Sequence, residues 1–294
     1  MIKASAVAAL ATAAVPARAQ LSRKAATPGY RIKNKRIRQS IMGWTYNPMP
    51  TEELIATCVD IGLTGIEGIS RNFYPAARNA GLEISLVGSH GFGKGPNDPA
   101  NHAMCIEKLM DGIAVAKEFG AKRVITFVGM ETPGIDRDQA RANCVRAWKQ
   151  VVGHAEKNGI TLCLELLNSA DDSHPMKGHP GYEGDDLDFC IEAIKQVGSP
   201  NLKLLFDIYH VQIMDGHIIP QIRNKIEMIG HFQVGDHPGR HQPGTGEIHH
   251  RNVFRQIYNL QQAGKFDGYV GLEYHPTVPL GQTLGAVREL ANFG

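Results

Sequence analysis

The sequence predicts an α/β protein built as a single closed (β/α)8 barrel, and three observations carry that prediction. From Arg36 onward, short β-rich runs alternate with longer helical patterns, the rhythm of repeated βα units around a parallel sheet. There are eight such runs, and the roughly 260 residues that hold them match the length of about 250 that one such barrel needs. No G-x-G-x-x-G follows the first run, so an open dinucleotide-binding sheet lacks its phosphate-binding turn.

The elements follow in order. Ile37–Trp44 is the first strand and Glu52–Ile61 the first helix. Thr64–Ile69 and Glu83–His90 are the second and third strands, separated by a short stretch after Tyr74 with a weak helical pattern. Ala100–Phe119 is a long helix that ends at Gly120, ahead of the fourth strand, Arg123–Val128. Arg137–Lys157 is the next helix, stopped near Gly159, and Thr161–Leu167 the fifth strand. Leu187–Val197 is helical, and Lys203–Tyr209 and Gly230–Gly235 are the sixth and seventh strands. Val253–Ala263, followed by Gly264, leads into the last strand, Tyr269–Tyr274. Gly120, Gly159 and Gly264 stand just past helix ends, where a left-handed residue closes the last turn.

Composition narrows the function. With 31 basic against 29 acidic side chains and a net charge of +2, the chain has no broad basic field, so nucleic acid is not an expected partner. The five cysteines, Cys58, Cys105, Cys144, Cys163 and Cys190, stand singly in apolar contexts and read as small buried hydrophobes. Residues 1–19 combine Lys3, an Ala-rich apolar run and an A-x-A site ending at Ala19, the pattern of a cleaved export signal. Ile2-Lys3-Ala4-Ser5 looks like the tail of a twin-arginine signal, which predicts a periplasmic protein exported already folded. The competing reading is a disordered leader on a cytoplasmic protein. The apolar run is too short to span a bilayer, so no stable membrane anchor is expected. Residues 20–35 read as a linker and 36–294 as the barrel.

Side-chain parity brings chemistry to one end of that barrel. Alternate strand residues point inward, and reacting groups sit at the C-terminal strand ends. In Thr161-Leu162-Cys163-Leu164-Glu165 the leucines share one face, which turns Glu165 inward. The same alternation directs Asp207 inward from Leu204-Leu205-Phe206-Asp207, Gln233 from His231-Phe232-Gln233, and Glu273 from Val270-Gly271-Leu272-Glu273. A single acidic residue at a strand end more often caps a helix or pairs with arginine. Four polar groups on successive strands with matching parity point instead to a shared divalent cation, because unpaired carboxylates are costly to bury. Three carboxylates and an amide oxygen form a hard donor set suited to Mg²⁺ or Mn²⁺.

The runs Phe206-Asp207-Ile208-Tyr209-His210-Val211-Gln212 and Pro238-Gly239-Arg240-His241-Gln242-Pro243-Gly244-Thr245-Gly246-Glu247-Ile248 resemble the hydroxypyruvate isomerase family of xylose-isomerase-like TIM barrels. The resemblance covers nearly everything from residue 36 onward. It implies metal ligation by Glu165, Asp207, Gln233 and Glu273, with Glu165 and Glu273 as proton donor and acceptor. It also implies interconversion of hydroxypyruvate and 2-hydroxy-3-oxopropanoate through an enediolate, a hydroxy-keto acid or sugar as substrate, and a homo-oligomer. His210, three residues past Asp207, is expected in the mouth loop as a substrate contact, and Arg240 as a bidentate clamp on a substrate carboxylate. Glu67, His90 and Asn168 are weaker pocket candidates, with ion pairing or turn capping as the plainer readings. Trp44 and Tyr46 suit core packing, and His249-His250 the opening of a surface helix. Rival functions are a ketose 3-epimerase or other sugar isomerase, a zinc nuclease, which the balanced charge disfavours, and a non-catalytic exported sugar-binding protein, which the paired glutamates disfavour.

Overall fold

A computed structural model describes residues 37–174, 176–280, 282 and 283. The predicted signal and linker lie outside the described residues. Eight parallel strands form the sheet: β1 (Gln39–Met42), β2 (Gly65–Glu67), β3 (Glu83–Leu86), β4 (Arg123–Phe127), β5 (Thr161–Glu165), β6 (Leu202–Asp207), β7 (Ile229–Val234) and β8 (Val270–Leu272). Their order is β3-β2-β1-β8-β7-β6-β5-β4. A parallel bridge between Val87 and Val124 joins the two ends, with Val87 N–H donating to Arg123 O and Ile125 N–H to Val87 O, each at 3.0 Å. The barrel predicted from the strand count is the architecture found.

Among the described residues eight α-helices accompany the strands: α1 (Thr51–Ile61), α2 (Tyr74–Asn79), α3 (His102–Phe119), α4 (Arg137–Asn158), α5 (Leu187–Val197), α6 (Ile208–Met214), α7 (Ile218–Lys225) and α8 (His250–Gln262). Local chemistry sets their ends. Asp136 and Asp186 accept the backbone N–H of Gln139 and Phe189, capping α4 and α5. Gly62, Gly120, Gly159 and Gly198 close α1, α3, α4 and α5 in the left-handed region.

Two helices, α6 and α7, carry weak sequence signals: the β6 pattern runs past Asp207 through Ile208 and Tyr209 into α6, and α7 is eight residues long with Pro220 in its first turn. Asp207 supplies the missing signal only in three dimensions: it ends β6 and caps α6 by accepting the Tyr209 N–H at 2.9 Å. The predicted strand Lys203–Tyr209 is therefore two residues too long, and His210 stands in the first turns of a helix, not in a mouth loop. His250 departs from expectation too. It is 1% exposed rather than on a surface helix face, and its ring lies 3.6 Å from Asp236.

Apolar packing divides into the layer between strands and helices and a mixed interior. Trp148 of α4 is fully buried in the outer layer and donates from Nε1 to Thr126 Oγ1 of β4 at 3.0 Å. All five cysteines are buried and unpaired, as expected. Among the described residues no helix is long and apolar enough to cross a membrane.

Replacing Trp148 removes a large buried ring from the joint of α4 and β4. Trp148→Ala is expected to cost about 3–5 kcal/mol in urea denaturation, whereas Trp148→Phe, which loses the hydrogen bond and little volume, costs distinctly less. Equal losses would show that packing at this joint does not depend on the ring.

Candidate active site

The four residues selected by parity meet at the C-terminal mouth. Glu165 ends β5, Asp207 ends β6, Gln233 lies one residue before the end of β7, and Glu273 follows β8 with its N–H on Val234 O at 3.0 Å. All four are buried. Glu165, Asp207 and His210 each place one potential ligand atom within 4.8 Å of the others.

Arg240 enters this cluster from the loop between β7 and α8. Its Nη2 donates to Asp207 Oδ2 at 2.7 Å and lies 3.2 Å from Glu273 Oε1, while Nη1 donates to Met176 O at 2.7 Å. Sequence reasoning assigned this guanidinium to a substrate carboxylate. Both terminal nitrogens are instead engaged by the protein, and Nε is left buried without a partner.

The loop is shaped to deliver that side chain. Arg240 has φ +52°, a left-handed conformation uncommon for a long side chain, so the surrounding structure must impose it. Gly235 makes room, since a Cβ there would lie 2.9 Å from Arg240 Cγ and 3.0 Å from Glu273 O. Asp236 gathers the rest. Its carboxylate accepts the N–H groups of Gly244, Thr245 and Gly246 on Oδ2, and of His237 and Ile248 on Oδ1. Sequence analysis passed over Asp236, because a nest of converging amides is a property of the folded loop.

Charge is unevenly balanced at the mouth. Burial pushes Glu165 well above the usual carboxylate range, and Glu273 and Asp207 beside it push it further against the pull of Arg240. Burial likewise raises Glu273 to about 8, with Arg240 holding it down and Asp207 pushing it up. Asp207 is raised by burial despite Arg240 and two backbone donors. Three buried carboxylates thus share one guanidinium. The charge in excess of Arg240 must be removed by protons or met by additional positive charge.

Two acceptor atoms add to this picture. Gln233 Oε1 and Glu273 Oε2 are buried without hydrogen-bond partners. Together with the excess carboxylate charge, these oxygens fit a hard divalent cation.

His210 is a donor rather than a ligand. Asn168 donates to its Nδ1 from both the backbone N–H, at 3.1 Å, and the side-chain amide, at 2.7 Å. Burial, with Arg240 and His179 nearby, holds the imidazole well below its usual range, so the ring is neutral. With Nδ1 accepting, the single ring proton resides on Nε2, which faces Asp207 Oδ2 at 3.5 Å. Asn168, a weak candidate from sequence, is the residue that sets this tautomer.

The other candidates separate. Glu67 lies deeper in the barrel, 3.1 Å from His231 Nε2, and fulfils its ion-pair reading. Burial pushes its carboxyl up, but His231, Ser85 and Gln233 outweigh that and hold it at about 2. His90 bonds Thr126 Oγ1 at 3.0 Å, and Tyr46 is core. Trp44 packs edge-on to His275. Sequence analysis missed His179, whose two ring nitrogens are buried without partners between Phe92 and His210, with centroids at 4.4 and 5.9 Å. No pattern around it marked it.

Fold and site define a (β/α)8 barrel with a buried, carboxylate-rich cluster at its C-terminal mouth. Residues 55–292 match the model of the xylose isomerase-like TIM barrel family, and the chain belongs to that family. It is 32% identical over 174 residues to the hydroxypyruvate isomerase of Escherichia coli (strain K12), a stretch covering 58% of this chain and 63% of that enzyme. The matched region thus spans just under two thirds of that relative's length. It is 29% identical over 202 residues to the 2-oxo-tetronate isomerase of Cupriavidus necator, covering 69% of this chain and 72% of that protein. A solved 3-keto-D-glucoside 4-epimerase from E. coli shares the fold at TM-score 0.68 and 18% identity, over 87% of this chain and 97% of that one. The curated relatives are isomerases by name.

Asp236 yields a pH-dependent expectation. Burial pushes its carboxyl up, but His250 and the backbone N–H groups outweigh that and hold it at about 2, below its ordinary 3.8. A depressed carboxyl stabilises the fold fully above about pH 4 and loses that contribution as pH falls toward about 2. Asp236→Asn is expected to lower stability by roughly 1.5–3 kcal/mol at neutral pH, with the gap to wild type narrowing in acid. Urea melts across that range check it, and a gap constant with pH would contradict the charge-based account.

Proposed function

We propose that the chain is a metal-dependent isomerase that interconverts hydroxypyruvate and 2-hydroxy-3-oxopropanoate. The observation that carries this reading is the pair Glu165 and Glu273: two buried carboxylates at the C-terminal ends of β5 and β8, within electrostatic reach of each other. Moving a carbonyl between neighbouring carbons requires a C–H proton to leave one carbon and a proton to arrive at the next.

Glu165, Asp207, Gln233 Oε1 and Glu273 are the groups that would hold Mg²⁺ or Mn²⁺. When bound, the cation supplies positive charge against which the negative charge of the enediolate develops. It also favours the ionised form of the glutamates, which otherwise retain their protons. One glutamate takes a proton from C3 of hydroxypyruvate, and the C3–H electron pair becomes the new C2–C3 double bond of the enediolate. As that double bond forms, the C2 carbonyl pair moves onto the C2 oxygen. The other glutamate returns a proton to C2, while the C3 hydroxyl proton passes to the C2 oxygen, so that C3 becomes the aldehyde and C2 a secondary alcohol. His210 offers its Nε2–H to a substrate oxygen, and Arg240 offers Nε, its unpartnered donor. The names of both curated relatives describe isomerases of small 2-oxo acids, which favours an acyclic 2-oxo acid over a ketose.

Turnover of hydroxypyruvate by Mn²⁺-loaded protein in D₂O tests the reading. Product should carry deuterium at C2, and Glu165→Gln and Glu273→Gln should each lower kcat by about 10²–10⁴-fold. Deuterium exchange into a ketose without hydroxypyruvate turnover moves the substrate to a sugar, and silence on both overturns the isomerase. We propose as well that residues 1–19 direct export, so the mature periplasmic chain should begin at Gln20 in N-terminal sequencing. A full-length chain confined to the cytoplasm would overturn that proposal.

A further inference from the structure

Beneath the mouth, the barrel interior holds a second polar cluster that the proposed chemistry does not use. Glu67 of β2 is fully buried and ringed by donors from three other strands. Ser40 and Ser85 donate to Oε2 at 2.8 and 2.5 Å, from β1 and β3. On the β7 side, His231 Nε2 lies 3.3 Å from Oε1, and Gln233 Nε2 donates to the same oxygen at 3.1 Å.

The last contact decides how the Gln233 amide faces. A side-chain amide has one donor end and one acceptor end, and a carboxylate accommodates only the donor. Turning the amide over would set Gln233 Oε1 against Glu67 Oε1, two acceptors at hydrogen-bond distance in a dry interior. Glu67 thereby holds Nε2 toward the barrel floor, and Oε1 is the atom left without a partner. A buried amide oxygen with no donor is costly unless something else satisfies it.

The backbone opposite is built around this arrangement. Gly271 of β8 stands beside the Glu67 carboxylate: a Cβ there would lie 2.2 Å from Glu67 Oε1, 2.9 Å from its Cδ and 3.2 Å from Gln233 Cγ. Any side chain at 271 would displace both residues. Gly271 is extended β-strand backbone, so the requirement for glycine is one of space rather than of φ.

We infer that Glu67 is a positioning residue that fixes the Gln233 amide with its oxygen presented to the metal site, and that Gly271 is the opening in β8 that lets it do so. This rests on the metal reading of the mouth given above. Glu67 touches neither substrate nor metal in this scheme, and acts through Gln233. Groups that orient a ligand from behind commonly govern metal affinity by about 10–100-fold.

The test is Mn²⁺ binding to the full chain by calorimetry and by the electron paramagnetic resonance of free Mn²⁺, with thermal melts recorded beside it. Glu67→Gln keeps the shape and an acceptor for Ser40, Ser85 and His231, but it removes the demand that Gln233 present its donor end. Affinity for Mn²⁺ should fall by about 10–100-fold in a protein that still melts cooperatively. The double variant Glu67→Gln with Gln233→Glu reverses the pair: the amide at 67 donates upward to one carboxylate oxygen at 233, whose other oxygen faces the mouth. It should bind Mn²⁺ near the wild-type level, a recovery that a merely structural role for Glu67 would not produce. If Glu67→Gln does not fold, Gly271→Ala, which displaces the carboxylate by volume alone, is measured for the same loss of affinity. Wild-type affinity in Glu67→Gln, or a double variant no better than the single one, overturns the inference alone. Wild-type protein that binds no Mn²⁺ overturns the metal reading and this inference together.

Discussion

The contact between the Arg240 guanidinium and the carboxylates of Asp207 and Glu273 is the interaction on which the mouth of this barrel depends. Removing three carboxylates from water is unfavourable by several kcal/mol per charge unless opposite charge or a proton accompanies them. Arg240 meets part of that requirement at a cost to its own loop. The loop adopts a left-handed residue at Arg240, has room for the side chain because residue 235 is glycine, and is held by the amides converging on Asp236. The loop and the charge cluster are therefore one construction. Burial is the first cause that raises Glu165 and Glu273, and the negative charge that Arg240 leaves uncompensated adds to it.

The interior of the barrel is polar over more depth than the mouth alone. Glu67, Ser40, Ser85 and His231 form a hydrogen-bonded cluster below, and Gln233 donates into it from β7. Such networks are stabilising only when each member finds a partner. In the lower cluster the Glu67 carboxylate is fully engaged, whereas at the mouth Gln233 Oε1 and Glu273 Oε2 are not. Unpartnered acceptor oxygens beside excess carboxylate charge set the mouth apart from the engaged carboxylate beneath it.

His210 shows how a neighbouring amide can fix the role of a histidine. Its position three residues past Asp207 suggested a substrate contact, yet proximity to Glu165 and Asp207 would equally suit a metal ligand. Asn168, after β5, resolves the matter by occupying Nδ1, which leaves Nε2 as a donor. The residue that sets the tautomer thus stands in the loop after β5, whereas the histidine itself belongs to α6.

The sequence by itself determined the barrel, its strand count and the inward set Glu165, Asp207, Gln233 and Glu273. These follow from a period of two along each strand, which is local and survives without knowledge of neighbours. The helix caps at Gly120 and Gly159 were legible for the same reason, since a left-handed turn is specified by one residue. Helices α6 and α7 were not: the apolar run of β6 continues past Asp207 into α6, whose start is set by the folded Asp207 cap, and α7 is a short helix with Pro220 in its first turn. The partners of Arg240, the amide nest around Asp236, the buried pocket face of His179 and the tautomer of His210 belong to tertiary structure alone. Each joins residues far apart in the chain, and neither spacing nor composition encodes which distant donor will meet which acceptor once the eight strands close.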